Sequence, residues 1–335
     1  MDVSIRVGIV GVGVMGSDHA RILASQVPGA KIQAIYDADP TRAKTIANET
    51  GAQAVTADPA ALIQDPTVDA VLVASPDHTH KQLVLACIAA RKPVLCEKPL
   101  APTVVECLDV VAAESKLGRR LVQIGYMRRF DPAYVEMKSS VLSGCLGAPL
   151  MFHCLHRNVS APAWFDSKMA VSNSAVHEFD IARWILDAEL TGIQVFRPQA
   201  ASRDTPGAPV FLVLETSKGQ LVSAEIFIGA AYGYDVRGEL VCEKGTVCLR
   251  APVHTEINAD LTHGIAYPAD WRPRFAEAYR LQAQAWIKAI ESGTPVGAST
   301  WDGYAAAAVT EAGLQSLAEG RHTAISLVEP PAIFR

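Results

Sequence analysis

The chain has 335 residues, enough for two domains that each bury a core. Half of the residues are hydrophobic and 19% are charged; the net charge of −5, without a long Lys or Arg run, argues against a nucleic-acid partner. No apolar stretch approaches a membrane span, Met1–Arg6 leads straight into an apolar run with no room for a signal peptide, and seven scattered cysteines form no C-x-x-C pair, so the expectation is a cytoplasmic protein with reduced thiols, no membrane contact and no metal site.

Ile5–Val10 reads as a buried strand, and Gly11-Val12-Gly13-Val14-Met15-Gly16 follows it directly as a tight turn opening a helix. In that context Gly11 permits the turn, Gly13 lets main chain approach a pyrophosphate, and Gly16 allows helix and strand to pack closely. The N–H groups of Val14, Met15 and Gly16 then face the phosphates at the positive end of the helix. A second run, Lys31–Tyr36, ends at Asp37, the spacing expected of the acid that binds the adenosine ribose. A carboxylate there repels a 2′-phosphate, so the expected cofactor is NAD rather than NADP.

Val68–Ala74 is the next strand, followed by the turn Ser75-Pro76-Asp77 and a helix from about His78 to Ala90. Pro93–Cys96 is a strand, Thr103-Val104-Val105-Glu106 is a capping box for a helix closing at Gly118, and Leu121–Ile124 is the last strand. This alternation predicts a parallel sheet, and hence a dinucleotide-binding domain over 1–124 and a second domain over 125–335. Ligands bind outside the carboxyl ends of such strands, where the glycine loop, Ser75–His80, with Ser75 and His78 at the cofactor, and Glu97-Lys98-Pro99 are expected to meet. Lys98 there can hold a substrate hydroxyl as the alkoxide develops; the plainer reading is a solvated loop lysine.

Beyond Gly125 the period changes. After a helix over Pro132–Leu142, strands are expected at Leu150–His156, Val195–Pro198, Val210–Thr216, Gln220–Ile228, Gly238–Glu243 and Thr246–Arg250, the last four in hairpins around Ser217-Lys218-Gly219 and Lys244-Gly245. The second domain is therefore α+β with a mostly antiparallel sheet, its helices at Ala175–Leu186, Phe275–Ser292 and Gly303–Glu319. At helical spacing Asn173, His177, Asp180 and Trp184 share a side. His177, near a helix start, would be held neutral by the dipole and able to accept a proton, or it is a hydrogen-bonded structural histidine.

Together Gly11–Gly16, Glu97-Lys98-Pro99, Gly125-Tyr126-Met127-Arg128-Arg129-Phe130-Asp131-Pro132 and His177-Glu178-Phe179-Asp180 resemble the glucose–fructose oxidoreductase / inositol dehydrogenase family, Gfo/Idh/MocA, over essentially the whole chain. Gly125–Phe130 and His156-Arg157-Asn158 are most similar to its inositol dehydrogenases. The resemblance implies a Rossmann domain followed by an α+β domain with a large, open, mostly antiparallel sheet that builds dimers or tetramers. It also implies NAD-dependent oxidation of a secondary alcohol, with Lys98 orienting the hydroxyl and His177 as base. A cis Lys98–Pro99 bond, and Met127, Arg128, His156 and Tyr234 in an inositol pocket, follow from the same resemblance.

Asn173 departs from the pattern, because an aspartate paired with the histidine is usual four residues before it. An amide binds a polyol but supplies no charge. Asn173 thus reads as a weaker base partner, a substrate contact or an inactivating change. His156, Asn158, Asn173, Arg128, His177 and Tyr234 offer the donors and acceptors a cyclic polyol needs, whereas a carboxylate substrate would favour Arg128, Arg157 or Arg272. The leading expectation is NAD-dependent oxidation of an inositol. Alternatives are an aldose 1-dehydrogenase, a bound-NAD glycosidase or sugar oxidoreductase, and a dinucleotide sensor without catalysis.

Overall fold

The computed structural model describes residues 4–199, 206–250 and 256–335; Met1–Val3, expected just ahead of the first strand, lie outside them. The chain forms two compact units. The first comprises Met1–Phe130, Ala278–Ala307 and Val328–Arg335, and the second Asp131–Glu277 and Ala308–Leu327.

In the first unit, strands β1 (Ile5–Val10), β2 (Ala30–Tyr36), β3 (Ala54–Val55), β4 (Ala70–Val73), β5 (Val94–Cys96) and β6 (Val122–Ile124) alternate with helices α1 (Val14–Gln26), α2 (Pro40–Thr50), α3 (Pro59–Gln64), α4 (His80–Ala89) and α5 (Val104–Leu117). The strands lie in the order β3-β2-β1-β4-β5-β6 and every neighbouring pair is parallel. Both faces of such a sheet are covered, which is why β4 and β5 read as unbroken apolar runs. The order reverses between β1 and β4, so a crevice for a dinucleotide opens at the carboxyl ends of these two strands. The Thr103 hydroxyl accepts the Glu106 N–H at the start of α5, as the capping box predicts, and Gly118 closes that helix with φ +76°. The helix expected from His78 instead begins at His80, after a 3₁₀ turn over Asp77–Thr79.

The second unit holds α6 (Pro132–Leu142), β7 (Pro149–Arg157), a short α7 (Ser167–Met169), a π-helical turn (Ala170–Ser174) and α8 (Val176–Leu186). Strands β8 (Leu190–Phe196), β9 (Val210–Thr216), β10 (Leu221–Phe227), β11 (Asp235–Cys242) and β12 (Gly245–Cys248) follow, with a separate hairpin of β13 (Glu256–Ala259) and β14 (Thr262–Ile265). Helices α9 (Trp271–Ser292) and α10 (Thr300–Glu319), each divided between the two units, and the short β15 (Thr323–Ala324) come last in the chain. The large sheet runs β12-β11-β7-β10-β9-β8-β15 and is antiparallel except for the parallel pair β7–β10. Alternation decides its two faces: Phe152, Cys154 and His156 of β7 and Leu212 and Leu214 of β9 are buried, while Phe211 and Leu221 on the opposite face stay exposed.

A single division at 124/125 would leave everything after it in the second domain, but the chain returns to the first unit at Ala278. Ala283, Trp286 and Ile287 of α9 pack with Val7, Ile9, Ile35 and Leu95 in the core of the parallel sheet. An amphipathic helix goes where its apolar face is covered, and sequence position does not constrain that.

Candidate active site

The first unit builds a cradle largely from main chain. Gly11 adopts φ +90°, and a Cβ there would lie 2.7 Å from the Ala74 carbonyl oxygen and from the Ser75 N and Cα. At Gly16 a Cβ would lie 2.0 Å from the Gly11 oxygen, so only glycine permits this packing of loop and helix. Gly13 is different: a Cβ would meet nothing nearer than an Arg42 nitrogen at 3.9 Å, which leaves its backbone bare for a ligand. It caps α1 with no side-chain hydrogen bond, and the first turn of that helix holds no acid, so nothing there competes with an anion. Val14 is exposed and Met15 half-buried. The loop is fastened by Asp37, whose two carboxylate oxygens accept N–H bonds from Val12 and Asp39, each at 2.8 Å. Each oxygen keeps a lone pair, as a ribose diol requires. The bare Gly13, the open helix end and the ordered acid fit a dinucleotide.

Glu97 is buried at the end of β5. Its Oε1 lies 2.7 Å from His19 Nε2, and its Oε2 accepts the Lys98 N–H at 3.2 Å. Burial alone would raise this carboxyl, but the His19 hydrogen bond and the His19 and Lys98 charges outweigh it and hold it below the usual range. Gly125 leaves room for it, since a Cβ there would sit 2.9 Å from the carboxylate. The next peptide, Lys98–Pro99, is cis. Burial lowers the Lys98 ammonium below the ordinary lysine value; Glu97 and Asp77 oppose the fall and the Arg128 charge adds to it. Met127 and Arg128, on a 3₁₀ turn after β6, are both buried.

Three loops are joined by side chains to which the sequence reading gave no role. The buried His80 ring sits 2.7 Å from the Pro99 oxygen and 2.8 Å from the Ser75 oxygen, and His19 joins α1 to Glu97. Arg42 lies 3.7 Å from Asp37. Both histidines fall at helix positions that read as ordinary interior, so only the fold exposes their part. Ser75 Oγ is 2.6 Å from Thr79 Oγ1, while His78, expected at the cofactor, is exposed.

In the second unit, His156 comes from the covered face of β7, His177 from α8, and Tyr234 from the residue before β11. Their rings gather, with His156 centred 6.3 Å from His177 and 6.0 Å from Tyr234. Tyr234 also meets Phe275 edge-on at 6.3 Å. The buried Oδ1 of Asn158, just past the end of β7, has no hydrogen-bond partner among the described residues. An orphan acceptor of this kind calls for a donor such as a ligand hydroxyl.

The helical context of His177 differs from expectation. Ala175 donates to the Ala170 carbonyl in a five-residue step, and Phe179 then donates to Ala175, so α7, the π turn and α8 run on without a break. His177 is therefore inside a helical run that begins at Ser167, and the N-terminal dipole expected at its ring acts only within a first turn. The π turn also contains Asn173. Glu178, given no role in the sequence reading, is buried and lies 3.2 Å from His156 Nδ1. Arg157 is committed to Glu225 through bonds of 2.7 and 2.9 Å and Arg272 to Asp270, which removes two candidates for a carboxylate substrate.

Residues 5–126 match the Gfo/Idh/MocA oxidoreductase family in its NAD-binding Rossmann fold, and residues 138–326 match its C-terminal alpha/beta domain. The chain is 51% identical to inositol 2-dehydrogenase 1 of Saccharopolyspora erythraea, covering 99% of both chains. It is 42% identical to inositol 2-dehydrogenase of Mycolicibacterium smegmatis over 98% of each. The crystal structure of myo-inositol dehydrogenase from Lactobacillus casei in complex with NAD(H) and myo-inositol superposes with a TM-score of 0.94 at 30% identity, covering 99% of this chain and 100% of that one.

Proposed function

The chain belongs to the Gfo/Idh/MocA oxidoreductase family, and on that premise we propose that it oxidises a ring carbinol of an inositol to the ketone with NAD. The observation that carries the substrate class is the polar cluster of the second unit: His156, His177 and Tyr234 gathered within 6.3 Å, beside the orphan acceptor of Asn158. Such a lining matches hydroxyls rather than an anion. Full-length likeness to inositol 2-dehydrogenases supports the same class.

NAD, when bound, accepts the hydride. Gly11, Gly13, Val14, Met15 and Gly16 would hold its pyrophosphate and Asp37 its ribose, and Ser75, His78, Glu97 and Lys98 would line the remainder of its crevice. Lys98 holds the reacting hydroxyl; its ammonium, already lowered by burial, shares the proton more readily than a solvated lysine. His177 accepts the carbinol proton. Met127, Arg128, His156, Asn158, Asn173 and Tyr234 position the ring, whose other hydroxyls set the stereochemistry. The exposed Phe211 and Leu221 face of the second sheet supports burial against further copies of the chain, as a homotetramer or dimer. Cys87 and Cys107, buried thiols pushed up to about 12, suit a reducing cytoplasm.

NADH appearance with myo-, scyllo- and D-chiro-inositol and a panel of aldoses tests this reading. Turnover of an inositol about 10-fold or more above any aldose is expected, a margin worth ~1.4 kcal/mol. The reverse ranking would assign an aldose dehydrogenase, and activity without NADH release would assign a bound-NAD enzyme. In Lys98→Met kcat should fall about 100-fold or more. Since the folded Lys98 loses its proton below the ordinary lysine range, the wild-type alkaline limb of kcat/KM should lie below that range and vanish in this variant.

A further inference from the structure

Helix α1 buries Gly16, His19, Ala20 and Leu23, a stripe at helical spacing whose Ala20 and Leu23 join the core of the parallel sheet. The imidazole in that stripe is 1% exposed, and its Nε2 lies 2.7 Å from Oε1 of Glu97, itself only 9% exposed. An ionised carboxylate only accepts, so His19 donates here from Nε2. Its Nδ1 is buried and has no hydrogen-bond partner among the described residues, so the ring spends its bonding on Glu97. Glu97 is fixed elsewhere too. Its Oε2 accepts the Lys98 N–H at 3.2 Å, and its own N–H donates to the Val73 oxygen at 2.8 Å. Gly125 confines the carboxylate, since a Cβ there would meet it at 2.9 Å. Two buried polar groups carry a desolvation cost that apolar side chains of similar volume avoid, so stability alone gives no reason for this pair. What it delivers is a fixed negative charge beside Lys98.

We propose that His19 is a positioning residue for Lys98: it holds the Glu97 carboxylate ionised and in place, and that charge keeps the Lys98 side chain an ammonium while it holds the carbinol oxygen. The inference deepens the dehydrogenase reading above and rests on the role given there to Lys98. Burial works against both charges, raising the Glu97 carboxyl and lowering the Lys98 ammonium. At Glu97 the His19 hydrogen bond is the strongest influence against burial, and at Lys98 the Glu97 charge is. The two effects run in one direction. Without His19, burial returns the carboxyl towards its neutral form, Lys98 loses its main counter-charge, and the ammonium falls further. The other groups nearby do not take over. Asp77, on the turn ahead of α4, supports the ammonium more weakly than Glu97, and the Arg128 charge acts against it. The Cys96 thiol, pushed up by burial, carries no charge. The His80 ring is committed to the Pro99 and Ser75 oxygens, and Tyr279 of α9 meets the His19 ring edge-on at 5.6 Å.

His19→Leu, His19→Gln and Glu97→Gln separate this role from packing, with Tm and NAD affinity measured alongside. Competitive acetylation of Lys98 against pH, read by mass spectrometry, follows its amine without turnover. The midpoint is expected to fall by about one pH unit in His19→Leu, and by a similar amount in Glu97→Gln. His19→Gln, whose amide N–H still donates, should keep the wild-type midpoint. In His19→Leu the alkaline limb of kcat/KM should move down with the midpoint, with kcat about 10-fold lower and KM for NAD changed less than about 3-fold. Adding His19→Leu to Glu97→Gln should move the midpoint no further, since His19 acts through that carboxylate. An unmoved midpoint in His19→Leu, or a further fall in the double variant, would overturn the proposal. If His19→Leu does not fold, His19→Gln against Glu97→Gln decides. A wild-type midpoint in the first with a lowered one in the second supports the proposal, and a midpoint common to both overturns it. A wild-type protein silent on every inositol would instead overturn the substrate reading, with the acetylation midpoints still deciding the part played by His19.

Discussion

In the first unit the cofactor cradle is a stretch of main chain, shaped by Gly11, Gly13 and Gly16 and fastened by a single acid, Asp37. In the second, the polar cluster is made of side chains from β7, α8 and the residue before β11, and nothing in it is contiguous. The cradle depends on the absence of atoms. A single methyl group at Gly16 would land 2.0 Å from the Gly11 oxygen, and the loop cannot relax without losing its N–H geometry. The cluster depends on register. His156 reaches Glu178 because it falls on the covered face of β7, and a one-residue slip would turn it to the other face. The first kind of site fails abruptly when one small residue is enlarged, and the second loses its hydrogen bonds one at a time.

Three changes sharpen that contrast. The largest effect is expected from Gly16→Ala, where overpacking costs about 2–3 kcal/mol and weakens NAD binding about 100-fold, read by titration calorimetry and a lowered Tm. Unchanged NAD affinity would break the view that sterics govern the cradle. Asp37→Ser is expected to keep the fold while shifting preference from NAD toward NADP by about 10- to 100-fold, since the repelling carboxylate is gone and Arg42 remains beside the site. The ratio of kcat/KM for the two cofactors measures it, and a constant ratio would remove Asp37 from cofactor choice. The smallest effect belongs to Asn158→Ala in the second unit. One hydroxyl contact among several is lost, so KM for inositol should rise about 5-fold, ~1 kcal/mol, with kcat nearly unchanged. A collapse of kcat comparable to that of Lys98→Met would mean that the cluster acts as a unit.

The glycine loop, the parallel strands of the first unit and the hairpins of the second were legible because each depends on local chemistry. Strand, turn and helix signals lie within a few residues of one another, and Ser217-Lys218-Gly219 joins two strands that pair as expected. The discontinuous first unit was not legible, because α9 contributes Trp286 and Ile287 to a core assembled more than a hundred residues earlier. The π turn just ahead of His177 was not legible either. Periodicity assumes 3.6 residues per turn, and the π turn over Ala170–Ser174 breaks that assumption just where Asn173 lies.

By itself, the sequence determined the chemistry on offer: a glycine loop with an acid after β2, a lysine at the end of a buried strand, and a histidine with Asn173 four residues before it. Those features survive any reasonable packing because they rest on residue type and short spacing. Only the tertiary structure decided which carboxylate meets which imidazole. Along the chain Asn173 stands at helical spacing from His177 and Glu178 next to it, and side-chain direction on β7 and α8 puts Glu178 on His156 at 3.2 Å. A hydrogen bond requires atoms within about 3 Å and in line, and that distance is a property of packed elements rather than of sequence separation.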